Sequence, residues 1–256
     1  MNKDLGYSCD ELIAVVLSRE LKDYEIGHIG VRGSIPIAAV LLAQKLHAPN
    51  ISLLAGGWLN PKPPALYPTF NDRSCVGVED LVSVWELFSL HERGVDFMFY
   101  SGIQIDKYGN FNLTFVGNNI RQPRFRGSGV PNADFSVTAK RFFLYHAAHT
   151  KRVFVDRVDF ITGAGNIDGA DGRKRAGITT QGPALCVTPK AVMDFDGQTG
   201  RMRLKSVHEG ITVDDVVQNT GFELIMPEQV PITPPPTEEE LEVLRNEIDT
   251  KGQLRQ

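Results

Sequence analysis

The stretch "FMFYSGIQIDKYGNFNLTFVG", Phe97 to Gly117, holds the groups best suited to handling a carbonyl compound. An apolar run ends at Ser101-Gly102, and the chain continues through Gln104, Asp106 and a Tyr-Gly-Asn turn at Tyr108 to Asn110. Gly102 lets another molecule approach the main chain closely, so its N–H and that of Ile103 could both donate to a developing oxyanion. By composition alone an ordinary tight turn is the simpler reading. Farther on, "NNIRQPRFRGSG" places Arg121, Arg124 and Arg126 in one loop, a set suited to a small anionic ligand or, as a plainer reading, to solvent.

Elsewhere the chemistry thins out. "NISLLAGGWLN" stops its apolar run at Ala55-Gly56-Gly57, where an α/β sheet usually opens into a crevice, and nothing there can react. The histidines include no H-E-x-x-H pair; His146 and His149 could share a helical face, but two imidazoles without a third ligand make no metal site, and none is proposed. "GAGNIDG", Gly163 to Gly169, lacks the strand-turn-helix setting of a dinucleotide loop and reads as a structural loop. Ser34 after Gly33 lacks the G-x-S-x-G surround of a nucleophile and is explained by helix capping.

Positioning these groups requires the following elements. Ser8-Cys9-Asp10-Glu11 has the form of a capping box and opens a helix of about four turns to Leu21. "YEIGHIGV", a helix opened by Ser34-Ile35-Pro36, and "ISLL" make a βαβ unit from about Tyr24 to Leu54. A proline-bearing loop follows from Trp58 to Cys75, then an amphipathic helix from Val78 to Arg93 stopped by Gly94, then the buried strand "VDFMFY". "ALCVTPKAVMDFDGQTGRMRLKSV" alternates β segments with turn residues and reads as an antiparallel meander. Thr212 with Asp215 caps a short helix, and Thr237 with Glu240 caps a final one. The expected class is α/β, a mostly parallel sheet with an antiparallel extension, in a single domain over residues 1–256.

Composition narrows the function classes. Hydrophobic residues at 42% and charged ones at 23% belong to a folded globular chain, and a net charge of −4 gives no general attraction for nucleic acid. The three widely spaced cysteines, Cys9, Cys75 and Cys186, read as reduced thiols. With no signal peptide and no uncharged run near the roughly 18 residues of a membrane span, the expected location is the cytoplasm, with no membrane partner.

Ser101-Gly102-Ile103-Gln104-Ile105-Asp106 followed by Tyr108-Gly109-Asn110 and Asn112 resembles the G-G-A-Q-I-D-x-Y-G-N-x-N motif of the class I coenzyme A transferases. The likeness extends through "RFRGSG" at Arg124 to Gly129, "KRVFVDRVDFITGAG" at Lys151 to Gly165, "NTGFEL" at Asn219 to Leu224 and the ending residues Leu244 to Asp249. It covers nearly the whole chain and is greatest to the β subunit of glutaconate CoA-transferase. The resemblance implies an open α/β/α fold, a homologous α subunit in an α2β2 heterotetramer, and an active site at the contact of the two chains. It also implies coenzyme A as part of the acyl-CoA substrate, with no permanently bound cofactor. Trp58 and Trp85 would then lie at subunit contacts or, for Trp85, in the core.

In the transferases the strand matching Ile51–Leu54 is followed by a nucleophilic glutamate, and here that position is Ala55. A methyl group cannot attack a thioester, so the resemblance shifts toward steroid-ring-degrading CoA hydrolases of the same family, which lack that glutamate. The implied reaction is hydrolysis of a C–C bond in a cyclic keto acyl-CoA, with the catalytic carboxylate on the α chain. The alternatives are genuine CoA transfer, acyl-CoA decarboxylation and a non-catalytic structural subunit. By motif position, Gly102 and Gln104 polarise or position the substrate. Gly56, Gly57, Asn110, Arg124 and Arg126 bind substrate or CoA.

Overall fold

The computed structural model describes residues 5–30, 33–67, 77–128 and 134–256, so Cys75 and Gly129 lie outside the described residues. The chain divides into two compact units, Met1–Phe99 with Pro235–Gln256, and Tyr100–Pro234.

In the first unit, α1 (Cys9–Ser18) starts at the expected capping box: the Ser8 hydroxyl accepts from Glu11 N–H and the Glu11 carboxylate accepts from Ser8 N–H. It ends three residues before Leu21, because Glu20 and Leu21 donate to the carbonyls three residues back and tighten the last turn out of the α-helix. The βαβ unit forms as expected from β1 (Ile26–Ile29), α2 (Ser34–Leu46) and β2 (Ser52–Ala55), with Ile26 opposite Ser52 and Ile29 opposite Ala55 in parallel register. Ser34 does not cap α2. Gly33 holds the cap position at φ 147°, a conformation that residues with a Cβ rarely adopt, and it has no side chain with which to cap the helix.

The segment read as a loop after β2 opens on a short strand, and a second short strand occupies residues read as the start of the next helix. β3 (Trp58–Leu59) turns back antiparallel on β2, pairing Ala55 with Trp58, and β4 (Asp80–Leu81) pairs with β3. Gly56 and Gly57 are therefore the two central residues of a hairpin, and Gly56 at φ 61° supplies the positive φ that such a turn demands. Because β4 uses residues 80 and 81, helix α3 (Val84–Arg93) begins later than Val78, at a capping box of Ser83 with Glu86. β5 (Phe97–Tyr100) is buried along its length and parallel to β1, giving the strand order β5-β1-β2-β3-β4.

The second unit continues with β6 (Gln104–Asp106), β7 (Phe111–Asn112), β8 (Phe115–Val116), β9 (Phe125–Arg126), the single turn α4 (Phe135–Thr138), β10 (Arg141–Tyr145) and β11 (Phe154–Val155). After α5 (Gly172–Arg175) come β12 (Gly182–Val187), β13 (Ala191–Phe195), β14 (Met202–Val207) and α6 (Val213–Asn219). β10 runs parallel to β12, and β12, β13 and β14 form the expected antiparallel meander. A separate small sheet has the order β11-β6-β7, and β8 with β9 is a hairpin. Phe111, Phe135, Phe142, Phe143 and Phe154 are fully buried, and Tyr100 stacks on Phe111 with ring centroids 4.4 Å apart.

The chain then returns to the first unit. α7 (Glu238–Val243) carries the expected Thr237–Glu240 capping box and runs on into a π-helical turn over Leu244–Ile248. Arg245 on that turn forks onto the buried Glu11 carboxylate at 2.7 and 2.9 Å, tying the chain end to α1. Among the described residues no helix is long and apolar enough to cross a membrane.

Candidate active-site cleft

The second unit holds an open cleft of about 990 Å³. Its walls come from three places: Ile103 and Gln104 at the start of β6; Val116, Arg124 and Phe125 of the β8–β9 hairpin; and residues between Ala148 and Val155 leading into β11. Strand pairing brings them together, since β11 lies parallel to β6 with Phe154 opposite Ile105, and Arg124 N–H donates to Val116 O at 2.8 Å to close the hairpin.

Three exposed cations line the cleft, Arg124, Lys151 and Arg152, and among the described residues no carboxylate, thiol or imidazole does. Ile103, Val116, Phe125, Val153 and Val155 supply apolar wall. A cationic rim beside an apolar trough suits a ligand that is anionic at one end and hydrocarbon-like at the other.

Gln104 is 5% exposed, and its Oε1 accepts from Asn112 Nδ2 at 2.8 Å and from Asp159 N–H at 3.0 Å. The Ile103 N–H is not available for an oxyanion, because it donates to Asn112 O at 2.7 Å as part of the β6–β7 ladder. Gly102 is buried and does not line the cleft, so the expected pair of main-chain donors is not presented there. A Cβ at position 102 would come within 2.7 Å of Gln104 O, which is why only glycine fits there.

The other expected site residues fall elsewhere. Arg126 turns back to donate to Ile120 O and so braces its own loop without lining the cleft. Asn110 works inside the fold: its Nδ2 donates to both Asp106 oxygens and to Ile167 O, and its Oδ1 accepts from Gly165 and Ile167 N–H. It thereby holds Ile167 at φ 63°, a strained value for a β-branched residue. Burial pushes the Asp106 carboxyl up to about 6, against hydrogen bonds from the Asn110 side chain and from main-chain N–H groups that favour its charged form. Asp106 and Asn110 line a second, smaller cavity of about 520 Å³ with Lys107, Tyr108, Asp156 and Asp168. Gly165 packs against this motif: a Cβ on it would meet Gly109 C at 2.3 Å, so the glycines of "GAGNIDG" serve close packing. In the first unit Ala55 is fully buried, and Gly56 and Gly57 form the β2–β3 turn.

His146 and His149 do not share a helix; they follow the end of β10 in irregular chain. His149 is buried between Thr188 Oγ1 at 2.8 Å and Thr220 Oγ1 at 3.0 Å. His146 lies against the main chain of Gly102; burial holds its pKa below the usual value, opposed by a main-chain hydrogen bond at Gly102. Its Nδ1 accepts from Ala148 N–H at 2.8 Å, which places the neutral ring's proton on Nε2. Sequence reasoning missed His146, Lys151, Arg152 and Asn112 as neighbours of the site. The usable signal was position: His146 directly follows a parallel strand, where α/β folds collect their working residues.

Comparison with known proteins bears on the family and the fold. The family described as Coenzyme A transferase matches residues 83–219. The chain is 31% identical to the B subunit of 3-oxoadipate CoA-transferase from Pseudomonas knackmussii, over 94% of this chain and 93% of that protein. It is 30% identical to the cholesterol ring-cleaving hydrolase IpdB subunit of Mycobacterium tuberculosis, over 94% of this chain and 95% of that one. The crystal structure of glutaconate coenzyme A-transferase from Acidaminococcus fermentans superposes with a TM-score of 0.85 at 27% identity, covering 98% of both chains. The protein belongs to the coenzyme A transferase family.

Proposed function

We propose that this chain is the B-type subunit of a two-component enzyme whose acyl-CoA substrate lies in the Gln104 cleft, and that the reaction is hydrolysis of a C–C bond in a cyclic keto acyl-CoA. The observation that carries the proposal is the make-up of the cleft wall: three cations, one side-chain amide, the Thr150 hydroxyl and apolar surface, with no carboxylate to form an acyl-enzyme among the described residues. Ala55, where the family resemblance puts a nucleophilic glutamate, adds none.

In this reaction water adds to the ring ketone, the bond to the carbon next to the thioester carbonyl breaks, and that carbon keeps the electron pair as a thioester enolate. The enolate is then protonated, and the former ketone carbon becomes a carboxylic acid in the same, ring-opened molecule. A hydrogen-bond donor at the thioester oxygen stabilises the enolate by on the order of 3 kcal/mol, a role that falls to Gln104. Arg124, Lys151 and Arg152 hold CoA phosphate or a substrate carboxylate. The base that activates water belongs to a homologous A-type chain, in an α2β2 assembly.

The similarity to the B subunit of 3-oxoadipate CoA-transferase favours a second reading, CoA transfer between carboxylic acids. The two separate in one experiment. The assembled complex is incubated with acetyl-CoA, quenched with borohydride or hydroxylamine, and the peptides of this chain are mapped by mass spectrometry. Modification of any glutamate in this chain sinks the hydrolytic reading. An unmodified chain, with ¹⁸O from water entering the new carboxylate of a ring-opened product, supports it.

A further inference from the structure

We infer that Asn112, which does not line the cleft, is a positioning residue that locks the Gln104 amide with Nε2 toward the ligand, so that the cleft selects a hydrogen-bond acceptor at that point. The inference rests on reading the cleft as an acyl-CoA site, and it says which atom of the acyl group Gln104 meets.

The assignment follows from donors that can only donate. Asn112 is fully buried on β7, opposite Gln104 on β6. Its Oδ1 receives the main-chain N–H of Thr114 at 3.0 Å and of Phe115 at 3.3 Å, with the Thr162 hydroxyl at 3.5 Å. Two peptide N–H groups fix which end of the Asn112 amide is oxygen. Its Nδ2 then has two hydrogens, one for Phe115 O at 2.6 Å and one for Gln104 Oε1 at 2.8 Å.

The same logic passes to Gln104. Its Oε1 also takes the Asp159 N–H at 3.0 Å, so flipping the amide would set an NH2 group against two donors. Such a flip leaves buried donors facing a donor, with their desolvation uncompensated. Nε2 is what remains. It has no partner among the described residues and is not a sealed-off atom, and it belongs to a residue that lines the cleft. A thioester or ketone oxygen can accept from it; a bare methylene cannot.

The test uses the chain assembled with its A-type partner and two probes, acetyl-CoA and the thioether S-ethyl-CoA, which lacks the carbonyl. Affinities are measured by titration calorimetry, and the informative quantity is their ratio, which general loosening of the fold does not move. Wild type is expected to prefer acetyl-CoA by tenfold or more. Asn112→Asp keeps the acceptor for Thr114 and Phe115 but turns a second oxygen toward Gln104; it is expected to abolish that preference with S-ethyl-CoA binding unchanged.

Should N112D fail to assemble, Gln104 itself carries the test. In the inferred orientation Gln104→Glu puts an anionic acceptor where a donor stood, and acetyl-CoA affinity falls at least tenfold below that of Gln104→Met. If Q104E binds acetyl-CoA like wild type, the oxygen already faced the cleft and the inference is overturned. Equal binding of both probes by wild type also overturns it while leaving the acyl-CoA reading intact. Binding of neither probe by wild type overturns the acyl-CoA reading and the inference with it.

Discussion

At the scale of single residues, motif membership and position in the cleft separate. Gln104, Asp106, Asn110 and Asn112 sit in one short motif, yet only Gln104 lines the cleft. Asp106 and Asn110 spend their hydrogen bonds on the turn and on Ile167. Arg124 and Arg126 likewise diverge: Arg126 bends back onto Ile120 O, whereas Arg124 stays on the cleft wall. Arg124→Ala is expected to weaken binding of free CoA to the assembled complex about tenfold in 50 mM salt, and by less in 500 mM salt, as a cation facing a solvated cleft should. Calorimetry at the two salt concentrations checks this. Arg245→Ala, which leaves the buried Glu11 carboxylate without its fork, is expected to cost on the order of 3 kcal/mol in urea unfolding.

At the scale of elements, α3 stands apart from the other long helices. α1 and α2 bury most of their apolar residues, whereas α3 buries only His91 and leaves Val84 and Trp85 at 66% and 84% exposure. The sequence offered Trp85 as core or contact, and the structure excludes the core. His91 anchors the helix through a 2.8 Å bond between its Nε2 and His28 Nδ1 on β1. Trp85→Ala should therefore change the stability of the chain by less than about 0.5 kcal/mol, and His91→Ala should lower it by roughly 1–3 kcal/mol. Paired urea titrations of the two variants give the comparison; equal losses would mean that Trp85 is packed in solution.

At the scale of the whole molecule, buried imidazoles set the response to acid. Burial pushes His28 down to about 3, with the His91 ring beside it adding to the effect, and burial pushes His91 and His149 down to about 4. In the unfolded chain each would take a proton near pH 6.5. The folded values are depressed, so the unfolded state binds more protons between the two. Stability is complete above pH about 6.5 and falls as pH drops toward 4, by up to about 1.4 kcal/mol per pH unit for each group. Thermal melts at pH 7.5, 6.5 and 5.5 should show a small first step and a larger second one; a flat profile would contradict the burial of these rings.

The sequence by itself determined whatever depends on short-range chemistry. The capping boxes at Ser8 and Thr237, the βαβ unit and the β12–β14 meander are local patterns whose periodicity and end signals lie within a few residues. The family was legible too, because the motif from Ser101 to Asn112 is continuous. Tertiary structure decided what depends on pairing between distant segments. Ala55-Gly56-Gly57 became a hairpin turn only because Trp58 pairs back on Ala55, and α3 started late because β4 pairs with β3. The cleft exists because β11, about fifty residues downstream, lies beside β6 and brings Lys151 and Arg152 to the same cleft as Arg124. The direction of the Gln104 amide was likewise set by donors from Asn112 and Asp159, since a side-chain amide carries no orientation of its own until fixed donors and acceptors surround it.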